Sequence, residues 1–124
     1  ESIDGLVDII EELRNHIEHA AQAGGISKNA VLSLIVNKLF AYKAVTSTYT
    51  ITLEDNLIDC NGTFTVTLPT AVGFQGEYTI KNSGNGIITV ATTSSQTIDD
   101  ETTQEIDSPN AMLVRSNQSN WIII

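Results

Sequence analysis

The residues with the most chemical potential are a group of carboxylates and a pair of histidines. Asp99, Asp100 and Glu101 form the densest acidic group, and such oxygens can bind calcium or act as a glycosidase pair. The ligand order of an EF-hand is missing, so we interpret this group as a polar turn between strands. His16 and His19 have a spacing that can hold zinc on a helix, but they lie away from the apolar seam of that helix. The sequence therefore predicts neither a metal site nor a cofactor.

Nucleophilic and phosphate-binding chemistry finds little support in the residue pattern. The two histidines are the only ones in the chain, and no G-x-S-x-G motif occurs. Gly84-Asn85-Gly86 is followed by a strand pattern rather than by the start of a helix, which predicts a hairpin instead of a phosphate loop. Cys60 is the only cysteine, which excludes an intrachain disulfide and predicts a small buried hydrophobe. We therefore expect a protein that is not an enzyme.

Aromatic side chains are the remaining candidates for binding, because an exposed ring can stack on a sugar. Phe64 and Tyr78 alternate with polar residues on predicted strands, which favours packing in the core. Packing is also favoured for Trp121, with stacking on a ligand as the alternative. Phe74 lies in a turn flanked by glycines, where its ring can be exposed or can cover an interface between copies. Phe74 and Trp121 are the predicted ligand-binding residues.

The charge of the chain restricts its partners. The formal net charge is −9 and the isoelectric point is about 4.3. Nucleic acids and anionic membranes are polyanions, so association with them would begin with repulsion rather than with counterion release. No apolar run of about 18 residues is present, and no basic segment leads into an apolar one. We expect no nucleic acid, no membrane insertion and no signal peptide.

Threonine divides the sequence into two segments. Residues 1–45 contain no threonine, whereas residues 46–124 contain fifteen. Threonine is favoured in strands and less so in helices, so the change predicts a helical segment followed by a β domain. We place the boundary after Val45.

Two helices are predicted in the first segment, over residues 3–23 and 27–44. Their apolar residues recur at alternating spacings of three and four, which is typical of a coiled-coil seam. Helices this short are marginal alone, so we expect self-association, with a monomeric helical hairpin as the alternative. The seam pattern leaves dimer and trimer open. The predicted oligomerisation residues are Ile3, Leu6, Ile10, Leu13, Ile17, Leu32, Ile35 and Leu39.

From Tyr49 onward the apolar period is two, which is typical of half-buried strands. Asn61-Gly62 predicts a two-residue hairpin, and Phe64, Val66 and Leu68 form a predicted inward row. The pattern of short strands and frequent turns predicts a small antiparallel β-sandwich of the jelly-roll type after the helical coiled coil or bundle, an α+β chain. Later strands are predicted around residues 96–98, 103–106, 111–115 and 120–124.

The order of short motifs in residues 49–124 resembles a known domain type. An LP pair at Leu68 is followed by YTIKN from Tyr78, by a G-x-G turn, by TID from Thr97 and by the near-terminal Trp121. This order is similar to that of the small C-terminal β domains of bacteriophage fibre and receptor-binding proteins. The resemblance implies a homotrimer hung from a stalk, and it favours the trimer over the dimer.

The same resemblance implies a function. It predicts a non-enzymatic virion protein of a phage particle whose knob, residues 46–124, attaches to a polysaccharide or protein of the host surface. The alternative is a structural trimerisation, capping or capsid-decoration module without a ligand of its own. The chain begins at Glu1 without methionine, so we expect a fragment whose preceding part contacts other virion proteins.

Overall fold

The computed structural model describes residues 9–15 and 28–124. The chain divides into a helical unit, Glu1–Leu39, and a β unit, Phe40–Ile124. Helices followed by two β-sheets confirm the α+β class. The division falls earlier than the predicted boundary after Val45, because the residues assigned to the end of the second helix form a strand.

The described part of the helical unit contains α1, residues 9–15, and α2, Lys28–Leu39. The predicted extension of the second helix to Ala44 is wrong. Tyr42–Val45 pairs with a neighbouring strand, and its aromatic and β-branched residues suit an extended backbone. Apart from α1, the predicted first helix over residues 3–23 lies outside the described residues.

Nine strands form the β unit and lie in two sheets. Sheet A has the order β1-β3-β5-β8-β9, and sheet B has the order β2-β4-β6-β7. The inward side chains of both sheets share one core. The strands are β1 (Tyr42–Val45), β2 (Tyr49–Thr50), β3 (Leu57–Cys60), β4 (Phe64–Thr67), β5 (Glu77–Asn82), β6 (Ile88–Ala91), β7 (Thr103–Ile106), β8 (Ala111–Ser116) and β9 (Trp121–Ile123).

The first six strands alternate between the sheets and pair in parallel within each sheet. Leu57 lies opposite Thr79 in sheet A, and Val66 lies opposite Val90 in sheet B. Each pair of strands thus makes one turn around the core, as in a β-solenoid. Antiparallel pairing occurs where β7, β8 and β9 complete the sheets. The predicted antiparallel sandwich is therefore wrong for β1 to β6, because the period of two determines the face of a side chain and not the direction of the next strand.

This winding gives the β unit two different sides, because parallel strands of one sheet all end at the same edge. The connections from sheet A to sheet B, together with the β7–β8 connection, lie on the short-turn side, at residues 46–48, 61–63, 83–87 and 107–110. The remaining connections lie on the long-loop side, at residues 51–56, 68–76, 92–102 and 117–120.

The short-turn side consists of stacked turns. The Asn61-Gly62 and Gly84-Asn85-Gly86 segments each join a strand of sheet A to a strand of sheet B, so both predicted hairpins are wrong. The two turns touch backbone to backbone, since a Cβ atom placed on Gly84 would lie 2.9 Å from the amide nitrogen of Gly62. Glycine is needed at the contact because no side chain fits between the turns.

Asn82 holds the Gly84-Asn85-Gly86 turn from inside the β unit. Its side chain is fully buried at the end of β5. The Nδ2 group donates to the carbonyl oxygens of Gly86 at 2.8 Å and Ile106 at 2.7 Å, and the Oδ1 atom accepts from the amide of Gly84 at 3.2 Å. The buried amide of Asn82 is therefore hydrogen-bonded on both its nitrogen and its oxygen, and it links this turn to β7.

The core confirms several predictions made from the period of two. Cys60, Val66 and Leu68 are fully buried, and Phe64 packs against the core while partly exposed. A large apolar side chain contributes about 1.5–3 kcal/mol when buried, so the core dominates the stability of the β unit. Its buried apolar members are Val45, Ile51, Ile58, Cys60, Val66, Leu68, Ala71, Tyr78, Ile80, Ile88, Val90, Ile98, Ile106, Met112, Val114 and Trp121.

Candidate functional site

Phe74 lies on the long-loop side and completes a cluster of three aromatic rings. Its ring is partly buried and stacks on Tyr78, with the ring centroids 5.4 Å apart and the planes 4° apart. The ring of Trp121 is tilted against Phe74 at 5.8 Å and against Tyr78 at 5.7 Å. Gly73 precedes Phe74 with φ of 77°, a conformation that favours glycine and directs the chain back over the rings. Phe74 thus packs on the two other rings and remains partly exposed.

Polar side chains hold the loop that carries Phe74. Gln118 donates from Nε2 to the carbonyl oxygen of Phe74 at 2.8 Å. At Ala71, the carbonyl accepts from the Ser116 hydroxyl at 2.6 Å, and the amide donates to Oε1 of Gln96 at 2.8 Å. The loop is therefore fastened to two other connections of the same side.

Trp121 lies in the core rather than on the surface. Its relative exposure is 0%, and its Nε1 group donates to the carbonyl oxygen of Pro69 at 3.2 Å. Tyr78 is equally buried, and its hydroxyl donates to the carbonyl oxygen of Thr52 at 3.0 Å. The packing favoured for Trp121 is thus confirmed, and of the two predicted ligand-binding residues only Phe74 is partly exposed.

The acidic turn lies on the same side as Phe74. Asp99 and Asp100 have φ of 48° and 70°, and the backbones of Ile98 and Glu101 exchange two hydrogen bonds across them. The Oδ1 atom of Asp99 accepts from the amide of Ile123 at 3.0 Å, so this carboxylate fastens β9. In the part of the chain that the structure describes, no three side chains of metal-binding type lie together. Ile98 forms single bridges instead of the predicted strand over residues 96–98.

A buried carboxylate that the sequence analysis missed lies in the loop over residues 51–56. The Oδ2 atom of Asp55 accepts from the Tyr49 hydroxyl at 2.7 Å and from the amide and hydroxyl of Thr52 at 2.9 and 3.2 Å. Burial and the hydrogen bond to Asp55 raise the pKa of Tyr49 to about 12. The T-x-x-D spacing is a signal for such a turn, and its role here is structural.

The Cys60 thiol is not activated as a nucleophile. Burial, with a smaller effect of the Asp59 charge, raises its pKa to about 11. A thiol is reactive as the thiolate, so Cys60 stays protonated and inert at neutral pH.

The structure brings the predicted oligomerisation residues of the two helices together where it describes them. They line, with Val36, an apolar cavity of about 60 Å³ between α1 and α2. Many apolar side chains of this unit remain exposed, including 68% of Leu34, and α2 has no buried residue. Ile3, Leu6 and Ile17, like His16 and His19, lie outside the described residues. The predicted residues that line the cavity are Ile10, Leu13, Leu32, Ile35 and Leu39.

Comparisons with protein-family models, with curated proteins and with solved structures give no match to this chain. Within the described ranges, neither helix has the length and apolar character needed to span a membrane.

Proposed function

We propose that the chain is a non-enzymatic structural protein of a bacteriophage fibre, in which three copies associate through their helices and present their β units for attachment to the host surface. Its place is the phage particle. Its partners are the other two copies, a polysaccharide or protein of the host surface, and further virion proteins.

The observation that carries the proposal is the incomplete burial of apolar side chains in the described part of the helical unit, residues 9–15 and 28–39. Ile10, Leu13 and Leu39 face a shared cavity, yet each is more than a third exposed. Such exposure of apolar side chains is costly in water, and association of copies removes it. The β unit has its own closed core and is free to serve as a knob.

Two titratable groups of the β unit, Cys60 and Tyr78, belong to its core. Burial raises the pKa of Cys60 to about 11 and that of Tyr78 to about 12, so both groups stay neutral at pH 7. The carboxylate of Asp99 is engaged with the backbone of β9. Loops held on a rigid scaffold are common binding surfaces, which supports attachment through the long-loop side.

The association part is tested by light scattering with size-exclusion chromatography on the full chain. We expect three times the chain mass of 13.4 kDa, about 40 kDa, at micromolar concentration. Ile35→Glu places a charge in the apolar cavity and should lower the mass toward that of one chain. Asn37→Glu adds the same charge at an exposed position of α2 and should leave the mass unchanged. A parent chain of 13.4 kDa would refute helical association.

The attachment part is tested with an array of bacterial surface polysaccharides and with host cells. We expect the parent chain to bind and Phe74→Ala to lose at least tenfold in affinity while keeping its circular dichroism spectrum. Val72→Ala changes an exposed side chain of the same loop and serves as the control.

A capping or decoration module without a ligand is the second candidate. The burial of Trp121 favours it, because one of the two predicted stacking rings is already used in the core. Absence of binding to every polysaccharide and cell, together with a trimeric mass, would select this candidate over attachment.

A further inference from the structure

The outer faces of the two sheets differ in chemistry. Because side chains alternate along a strand, the register identifies which residues point away from the core. In sheet B they are mostly threonines: Thr50, Thr65, Thr67, Thr89, Ala91, Thr103 and Glu105. In sheet A one row across β1, β3, β5 and β8 and the residue that follows β9 is mainly apolar: Tyr42, Leu57, Thr79, Leu113 and Ile124.

This row, which we call the sheet A row, is open in the single chain. Tyr42 and Ile124 at its ends are 61% and 62% exposed. Leu57 and Leu113, on either side of Thr79, are partly exposed. Exposed apolar side chains grouped on one face are a feature of interaction sites in soluble proteins.

The charges beside the sheet A row are balanced. Asp59 lies opposite Lys81 on one side of the row, and Arg115 contacts Glu77 at 2.6 Å on the other. The β unit has nine acidic residues and only three basic ones, and two of those three lie here. The outer face of sheet A is therefore neutral in a unit that is otherwise strongly acidic. An apolar centre with a charged rim of both signs is the usual anatomy of a protein interface.

We propose that the outer face of sheet A is an interface between copies of this chain. Two acidic copies repel each other over most of their surface, and this face lets them approach without that penalty. Each copy also brings both signs of charge to the rim, so the face can complement itself. The inference rests on the proposed association and extends it from the helices to the β unit. Only Phe40 and Ala41 separate α2 from β1, so joined helices would hold the β units at high local concentration.

Cross-linking of the full chain tests this interface. Thr79→Cys places a thiol at the centre of the sheet A row, and Thr89→Cys places one on the outer face of sheet B with similar partial exposure. Cys60 is buried in both variants and does not react. With a short bismaleimide at micromolar protein, we expect Thr79→Cys to give at least tenfold more linked dimer than Thr89→Cys.

The outcomes separate this interface from the helical association. Equal cross-linking at the two positions, or none at Thr79→Cys in a chain of trimeric mass, would overturn the sheet A interface and leave the helical association standing. A chain of 13.4 kDa without cross-links would overturn both. If a chain with both Thr79→Cys and Ile35→Glu still forms the cross-link, the sheet A interface is supported as a contact independent of the helices.

Charge substitution provides a second measurement on the same face. Leu113→Glu puts an acid into the sheet A row, and Thr65→Glu puts one on the outer face of sheet B. Both side chains point away from the core, so both variants should fold, which near-ultraviolet circular dichroism checks. We expect Leu113→Glu to weaken self-association at least tenfold in analytical ultracentrifugation and Thr65→Glu to change it less than twofold. The reverse order would overturn the inference.

Discussion

The short-turn side and the long-loop side of the β unit are built on different principles. On the short-turn side the connections touch through the backbone, at glycines that leave no room for a Cβ atom. On the long-loop side longer connections are held by side chains, among them Trp121, Gln96 and Gln118. A backbone contact tolerates almost no change, whereas a side-chain contact leaves neighbouring loop positions free to vary. The candidate binding surface and the stacked turns therefore lie at opposite edges of the same strands.

The largest effect should come from the ring that anchors the long-loop side. Trp121→Ala removes a fully buried side chain and its bond to Pro69, and we expect a loss of about 3–5 kcal/mol in the free energy of unfolding. Urea denaturation followed by far-ultraviolet circular dichroism measures it. Phe74→Ala removes a partly exposed ring from the same cluster and should cost less. An equal loss for both would mean that the long loops share one cooperative anchor.

The next effect should come from the asparagine inside the short-turn side. Asn82→Ala leaves the carbonyl oxygens of Gly86 and Ile106 without their donor, which we expect to cost about 2–4 kcal/mol of unfolding free energy. Asn85→Ala changes an exposed residue of the same turn and is the matched control. If the melting temperature of Asn85→Ala fell as far as that of Asn82→Ala, the loss of the buried hydrogen bonds would not be the cause of the destabilisation.

A single methyl group distinguishes the two sides directly. Gly84→Ala forces the stacked turns apart, and we expect a cost of about 1–3 kcal/mol in urea denaturation. On the long-loop side, Gly73 has no atom within 4 Å of an added Cβ, and asparagine tolerates its positive φ. Gly73→Asn should therefore change the free energy of unfolding very little. A larger cost at Gly73 would contradict the contrast between the sides.

The smallest effect concerns a carboxylate at the outer edge of the short-turn side. Hydrogen bonds from Ser83 and Tyr42 hold the pKa of Asp59 below its ordinary value. A lowered pKa in the folded state adds stability above the unfolded-state value, and that stability is lost as the pH falls through the folded pKa. Ser83→Ala should raise the pKa of Asp59 and reduce the part of the unfolding free energy that is lost in acid. Carbon-13 NMR titration of the carboxyl group measures the change, and an unchanged pKa would assign the effect to other groups.

Sequence patterns predicted the core of the β unit better than its topology. The period of two placed Cys60, Val66 and Leu68 inside, because burial depends only on alternation along one strand. Strand direction depends on where each connection leads, and an Asn-Gly pair fits a turn between sheets as well as a hairpin. The end of α2 was misplaced for a related reason, since Tyr42 continues the helical spacing and also suits a strand.

The candidate site was predictable in part. Phe74 was recognised from its glycine-flanked turn, and the acidic turn was recognised as polar. The sequence did not predict that both lie on the long-loop side, because this follows from the parallel winding of the strands. The sheet A row could not be predicted from the sequence either, since it runs across a sheet whose neighbouring strands are mostly not consecutive along the chain.

The parallel winding of β1 to β6 also makes the length of the β unit adjustable. Neighbouring strands in a sheet lie about 4.8 Å apart, so one more two-strand turn would lengthen the unit by that step and leave its cross-section unchanged. Because the closing strands β7 to β9 pair with whichever turn is last, insertion or deletion of whole turns is the least disruptive way for such a chain to change its reach.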